Sequence, residues 1–281
     1  MTGATTRPRS ADNAARLLAG LAVGLAVAFV LAPARLAARG STGDFADESD
    51  LRTAFRAAFA DYWRSGKRDL NPALQQIVDY WFRYHLVKAV VAAILLAVLA
   101  RLALLLWRSF LAAAPDTGGT TALAAGATVT TLLSLFSTVL LMANIQGMIA
   151  PFASLLPMLT SGPSDPETAT VRAQITQYLT DYPANGTPPA LDVMISDFAR
   201  YHVAMAIIAA TVAIAFIAVS ILLWKRYAAT DYTARRPRRL LAVSAILSAL
   251  LSLTALVVVY ANVTSAADSP PALAALFAGS W

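Results

Sequence analysis

"WFRYHLVKAVV" (residues 81–91) and "FARYHVAMAII" (residues 198–208) contain the only two histidines of the chain, each behind an Arg-Tyr pair and each opening a long apolar run. His85 and His202 lie 117 positions apart, and so do Trp107 and Trp224 at the far ends of those runs. Twenty-two residues separate each histidine from its tryptophan, about 33 Å of helix and so one bilayer core. The repeated phrase therefore marks one membrane interface, and the tryptophan marks the other.

The likeness continues on both sides. "NPALQQIVDYWFRYH" from Asn71 matches "PPALDVMISDFARYH" from Pro188, and "LRTAFRAAFADY" from Leu51 matches "VRAQITQYLTDY" from Val171. Downstream, "LLSLFSTVLLMAN" ending at Asn144 matches "LLSLTALVVVYAN" ending at Asn262, 118 positions on. A fragment, "SPPALAALF" from Ser269, repeats the Pro-Ala-Leu start and stops. Two spans per copy keep both copies in one orientation, which is the pattern of a parallel tandem repeat.

Composition fits a lipid environment. Hydrophobic residues make up 58% of the chain and charged ones 14%, with a mean hydropathy of +0.61. Five runs are long enough to cross: 17–34, 86–107, 121–144, 203–224 and 240–262. The expected fold is all-α, a polytopic bundle of five transmembrane helices with amphipathic helical hairpins outside the membrane. Repeat unit one covers 1–120, with outer helices in 47–85. Unit two covers 121–238, with outer helices in 165–202. Residues 239–281 form the fifth span and a truncated outer tail.

Charge sets the orientation. Lys225, Arg226, Arg235, Arg236, Arg238 and Arg239 crowd the connection between the fourth and fifth spans, which places that loop in the cytoplasm. The N-terminus, with Arg7, Arg9 and Arg16, is then cytoplasmic and the C-terminus outside. The region from Arg35 to Tyr84, with eight basic and seven acidic residues, dissents, but long translocated segments carry little weight. Three lysines beside nineteen arginines, in an alanine-rich chain, favour a bacterial plasma membrane. A basic start, an apolar stretch and "APA" at Ala32–Ala34 also fit a cleaved signal peptide, which would leave the remaining topology unchanged.

The outer segments read as amphipathic helices. Ile77, Val78, Trp81 and Phe82 follow Leu74 at helical spacing, as Met194, Ile195 and Phe198 follow Leu191. Stripes of Leu51, Phe55, Ala58, Phe59 and Tyr62, and of Val171, Ile175, Tyr178, Leu179 and Tyr182, precede them. These stripes are expected to pack on one another or to meet lipid or a protein partner.

The candidate ligand-binding or pH-sensing residues are His85, His202, Asn144, Gln146 and Asn262. Arg83, Tyr84, Arg200, Tyr201, Trp107 and Trp224 read as interfacial anchors. A metal site would need a ligand beyond the two histidines, so neither a metal nor a cofactor is assigned. Without cysteine there is no disulfide and no thiolate chemistry. No Asp or Glu falls in any span, where a proton-driven carrier would place a relay. Signatures of soluble hydrolases, zinc proteases and nucleotide-binding loops are missing. The basic inner loop reads as a topology signal touching anionic lipid, not as a nucleic-acid site.

Rows of small residues, Gly20, Gly24 and Ala28, then Thr130, Ser134 and Thr138, then Ser244, Ser248 and Ser252, suggest that the odd-numbered spans meet at the bundle centre. Three functions remain open. One is a non-catalytic envelope component serving interaction or assembly. Another is a transporter or channel-like protein for a neutral or lipidic solute near Asn144 and Asn262. The third is an outer-leaflet enzyme in which a histidine meets Asp79 or Asp197.

Overall fold

The computed structural model describes residues 9–39, 45, 47–114, 118–163, 165–182 and 186–279, and these contain helices and no strand. Arg7, counted above for orientation, lies outside the described residues, as does the side chain of Arg9. The helices are α1 (Arg9–Ala38), α2 (Glu48–Ser65), α3 (Pro72–Ala112), α4 (Gly118–Ile149), α5 (Pro151–Leu155), α6 (Pro166–Thr180), α7 (Pro189–Ala229), α8 (Arg235–Ala267) and α9 (Ser269–Ala278), with a 3-10 turn at Leu156–Leu159 after α5. Five of them, α1, α3, α4, α7 and α8, are long and apolar enough to cross a membrane.

Within α3 and α7 the outer helix and the span are one continuous helix of 41 residues each, with no break at the Arg-Tyr-His phrase. At 1.5 Å per residue each runs about 60 Å, twice the hydrocarbon thickness. Their starts follow capping chemistry. Asn71 accepts from Leu74 N–H at 2.8 Å, and its amide also donates to the Ala58 carbonyl at 2.9 Å, which fixes α2 against the start of α3. Pro72 and Pro189 occupy first-turn positions that have no N–H to satisfy. The turn out of α2 uses Gly66 at φ 62°, a left-handed residue closing the helix end.

The five spans follow one another in a row. α1 packs along α3, α3 along α4, α4 meets α7, and α7 packs along α8. The expectation that the odd-numbered spans gather at the centre is therefore overturned: α1 and α8 lie at the ends. The physical reason is visible in the small residues. A Cβ added at Gly20 or Gly24 would meet nothing within 4 Å, so this row is an open face and not a helix seam. The hydroxyls of Thr130, Ser134 and Thr138 bond back to carbonyls four residues earlier in α4. Ser248 and Ser252 are buried in α8, whose main neighbour is α7.

Above the row, α2, the first turns of α3 and α7, α5, the 3-10 turn, α6 and α9 close on one apolar core, hereafter the cap. Phe55, Tyr62, Leu74, Leu155, Ile175, Leu191, Met194 and Leu273 are fully buried in it. The outer stripes thus pack on one another, except that Tyr178 and Tyr182 remain 40% exposed and Phe82 39%. α6 lies chiefly against α9 and α2. The segment from Pro151 to Leu159, which the sequence marked only as outer connection, fills the cap between α3 and α7. The Pro-Ala-Leu fragment takes the matching place after α8. Leu155, Met158 and Leu159 are buried, as are Leu273, Leu276 and Phe277, each 118 positions later.

Polar ties complete the cap. Trp63 donates to Gln174 at 2.8 Å, joining α2 to α6, and Trp81 donates to Ser154 at 2.8 Å, joining α3 to α5. Arg56 donates to the carbonyls of Met158, Ser161 and Pro163, satisfying one acceptor in the 3-10 turn and two in the irregular stretch after it. Burial pushes the Tyr62 phenol up to about 12, and its hydroxyl donates to the Arg68 carbonyl.

Asp165 caps α6. The hydroxyl and the backbone N–H of Thr168 both donate to it and hold its carboxyl below the usual carboxylate range. A lowered folded value means that its stabilising contribution is complete above the unfolded value, near 4, and is lost as pH falls through the folded one. Asp165→Asn is expected to keep most of the cap near neutrality while flattening the acid limb of stability. Asp165→Ala should lose about 0.5–1 kcal/mol near pH 7, since the carboxylate is exposed. Thermal unfolding of the two variants at pH 7 and pH 3 measures both effects.

Candidate functional site

Both histidines sit where α3 and α7 pass from cap to span, and both make the same bond. His85 Nδ1 lies 3.0 Å from Asn144 Oδ1 on α4, and His202 Nδ1 lies 2.8 Å from Asn262 Oδ1 on α8. Each asparagine also donates through Nδ2 to the carbonyl four residues earlier, Leu140 at 2.7 Å and Val258 at 2.8 Å. A carbonyl only accepts, so this second bond fixes the amide orientation and turns Oδ1 to the imidazole. The histidine must then be the donor, which assigns the proton to Nδ1 in both rings.

Local structure explains the pairing. His85 and His202 occupy the side of α3 and α7 that faces α4 and α8, the neighbours each helix packs on along its length. Aromatic edges hold the rings: Trp81 and Tyr84 at 4.8 and 5.8 Å around His85, Phe198 and Tyr201 at 4.5 and 5.5 Å around His202. Each histidine therefore engages its own asparagine on its own neighbouring helix.

Besides Trp81 against Phe198, the two sites differ behind the ring. Behind His85 stands Gly147, where a Cβ would fall 2.7 Å from Cε1 and Nε2 of the imidazole. His85 Nε2 is buried there without a hydrogen-bond partner. The position 118 later is Ser265, whose hydroxyl donates to Ala261 in its own helix.

The remaining candidates divide. Gln146 donates to the Tyr201 carbonyl at 3.1 Å, tying α4 to α7. Asp197, buried, accepts from the Ala153 N–H at 2.9 Å and pairs with Arg200 at 3.1 Å, so it caps the first turn of α5 from a neighbouring helix. Asp79 accepts from Gln75 at 2.8 Å. Both carboxylates thus have partners other than the histidines.

Among the anchors, Tyr84 stacks on Trp81 with ring centroids 5.0 Å apart, and Trp224 is 43% exposed beside Tyr227. Trp107 instead donates to Thr131 at 3.1 Å, a bond between α3 and α4. Arg83 keeps one guanidinium nitrogen buried without a partner. At the other end of the row, Arg238 donates to the Thr230 carbonyl at 2.7 Å and covers the Tyr227 ring at 4.1 Å, closing the C-terminus of α7, while Arg235 and Arg239 stay exposed. Among the described residues no three His, Cys, Asp or Glu side chains gather as a metal site.

Sequence reasoning singled out both histidines and both asparagines without pairing them. Their separations of 59 and 60 positions span a membrane crossing in each direction, and nothing local marks such a contact. Arg56 and the cap role of Asp197 were missed because their acceptors and donors are backbone groups, which any sequence supplies.

The tight seat of His85 yields a test. Gly147→Ala is expected to cost about 1–3 kcal/mol by overpacking, because the imidazole is held by Asn144 and two aromatic edges and cannot swing away freely. His85→Ala alone should cost about 1–2 kcal/mol, and the double variant less than the sum of the two, since removing the ring removes the clash. Thermal unfolding in mild detergent measures this cycle; strict additivity would show that the ring gives way without strain. No protein-family model matches the chain, nor does any curated protein or solved structure, so the reading of this site rests on its own geometry.

Proposed function

We propose that this chain is a non-catalytic integral membrane protein whose cap is an interaction or assembly platform of a larger envelope complex. The membrane is the bacterial plasma membrane, the N-terminus is cytoplasmic, and the cap and C-terminus lie outside. Its two halves descend from one duplicated unit, which accounts for identical His–Asn bonds at positions 117 and 118 apart.

The carrying observation is that the cap consumes its own apolar stripes and is bonded to the spans beneath it. α2, α5, α6 and α9 share one core with the first turns of α3 and α7, and the two His–Asn bonds tie these two supporting helices to their neighbours. Such a cap is a rigid body with a polar outer face. Arg64 bridges Asp61 and Glu167 on that face. A shallow groove of about 690 Å³ runs along α6 past Ala173, Thr176 and Thr180, and Tyr178 on the same helix and Tyr182 just beyond its end stand half exposed. Exposed tyrosines on a rigid helix are the residue type that interface cores favour. At the opposite end, exposed Arg235 and Arg239 suit anionic lipid.

A second reading, the handling of a lipidic solute, draws support from two apolar wedges between the spans. Its version for a neutral polar solute is weakened, because Asn144, Gln146 and Asn262 are already bonded within the protein.

The absence of native cysteine makes both topology and contact measurable. Single cysteines at Tyr178 and Tyr232 should react oppositely with a membrane-impermeant maleimide on intact cells, Tyr178→Cys labelling and Tyr232→Cys not. A photo-crosslinking residue at position 178 in native membranes should give a discrete adduct that one at position 232 does not. Labelling at position 232 alone would reverse the orientation, and the lack of any adduct at α6 would remove the platform.

A further inference from the structure

Two wedges open between the spans toward the hydrocarbon, and they are built from matching positions. The first, about 440 Å³, has α3 as its floor, with Leu95 and Leu99, and α1 and α4 as its walls, with Ala22, Ala26 and Phe29 on one side and Leu140 on the other. The second, about 160 Å³, lies between α7, α4 and α8. Its Val212 and Phe216 stand 117 positions after Leu95 and Leu99, and its Val258 stands 118 after Leu140. Leu135, Val139 and Met142 take the places of Ala22, Ala26 and Phe29, each 113 positions later. The small residues of α1 leave the first wedge open, and the larger ones of α4 nearly fill the second.

The mouths differ as well. Lys88 lies seven residues before Leu95, two helical turns and about 10 Å nearer the cap on the same face of α3. Its ammonium stands 4.6 Å from the centre of the Phe29 ring, which lines the wedge, and 5.1 Å from that of Tyr84. Among the described residues it has these two ring contacts and no carboxylate partner; Asp79, nine residues earlier, is bonded to Gln75. The position 117 after Lys88 is Met205. A cation at the edge of hydrocarbon is costly unless an anion or the interface meets it. Here the roomier of the two wedges and Lys88 coincide, and the smaller wedge has Met205 at the position matching the lysine.

We infer that the α1–α3–α4 wedge is a site for one anionic phospholipid of the leaflet facing the cap, with an acyl chain along Leu95 and Leu99 and its phosphate on Lys88. A zwitterionic headgroup would bring its ammonium toward Lys88, whereas an anionic one adds no second cation. Exposed Arg35, at the cap end of α1, adds to the local positive potential. The site is independent of the platform proposed for the cap.

The test uses the full-length protein reconstituted in nanodiscs of phosphatidylglycerol, phosphatidylcholine or an equal mixture, then extracted into mild detergent and weighed intact. The wild type should retain one phosphatidylglycerol in preference to phosphatidylcholine. Lys88→Met, which installs the residue of the matching position, should cut that retention by at least about fivefold, the weight of one lysine against an anionic lipid. Ala26→Phe should empty the wedge, and Val139→Phe, in the second wedge, should leave retention unchanged. Unfolding temperatures of the lipid-free proteins keep a folding defect apart from a binding one, and Lys88→Met serves where Ala26→Phe does not fold. Equal retention of the two lipids, or retention unaltered by Lys88→Met, means annular lipid only and overturns the site.

Discussion

α3 and α7 do not end at the membrane surface, and most of the architecture follows from that. A helix satisfies its own backbone in hydrocarbon, so a span tolerates no irregular chain exposed to lipid. Continuing the same helix for several further turns carries this order into the cap and gives the outer helices a fixed direction. The cost is leverage: a 41-residue rod must be held sideways near the point where lipid gives way to water. The His–Asn bonds sit at that height on both rods. They act between pairs of neighbouring helices, which is why the spans form a row joined edge to edge and not a ring around a common axis.

The cap then depends on those rods. Its core includes α5, the 3-10 turn and α9, segments too short to be stable alone. Leu155 and Leu273 are buried to the same extent, in pieces that each follow directly from a span. Asp197, Trp81 and Arg56 supply the hydrogen bonds that such short elements lack internally. Asp197 and Trp81 reach from the span helices α7 and α3 to α5, and Arg56 reaches from α2 to the 3-10 turn and the loop after it.

Much of this was legible in the chain because helical repeats and membrane thickness are both lengths. The 22-residue interval from His85 to Trp107 located one span, and its recurrence located another. The stripe from Leu51 to Tyr62 announced the cap core. Packing order was not legible, and the small residues show why. Gly20 and Gly24 admit close approach but do not compel it, and in the fold they face open space. Pairing was equally hidden, since Asn144 carries no mark that says which of its neighbours across a loop will meet it. The Pro151–Leu159 segment lacked periodicity long enough to declare a helix, yet supplies some of the most deeply buried residues.

The departures between the halves are as informative as the likeness. Lys88 opposite Met205 and Ala26 opposite Val139 fall where α3 meets α1, while Gly147 opposite Ser265 lies against His85 of α3. α4 flanks the second half as a wall of bulky residues and is itself bonded to α3, so it has little freedom to vary. α1 has no such obligation, because it lies at the end of the row and packs chiefly on α3. A helix with one main neighbour can change its facing residues without disturbing a second interface. The roomier of the two wedges and Lys88 both lie on that side.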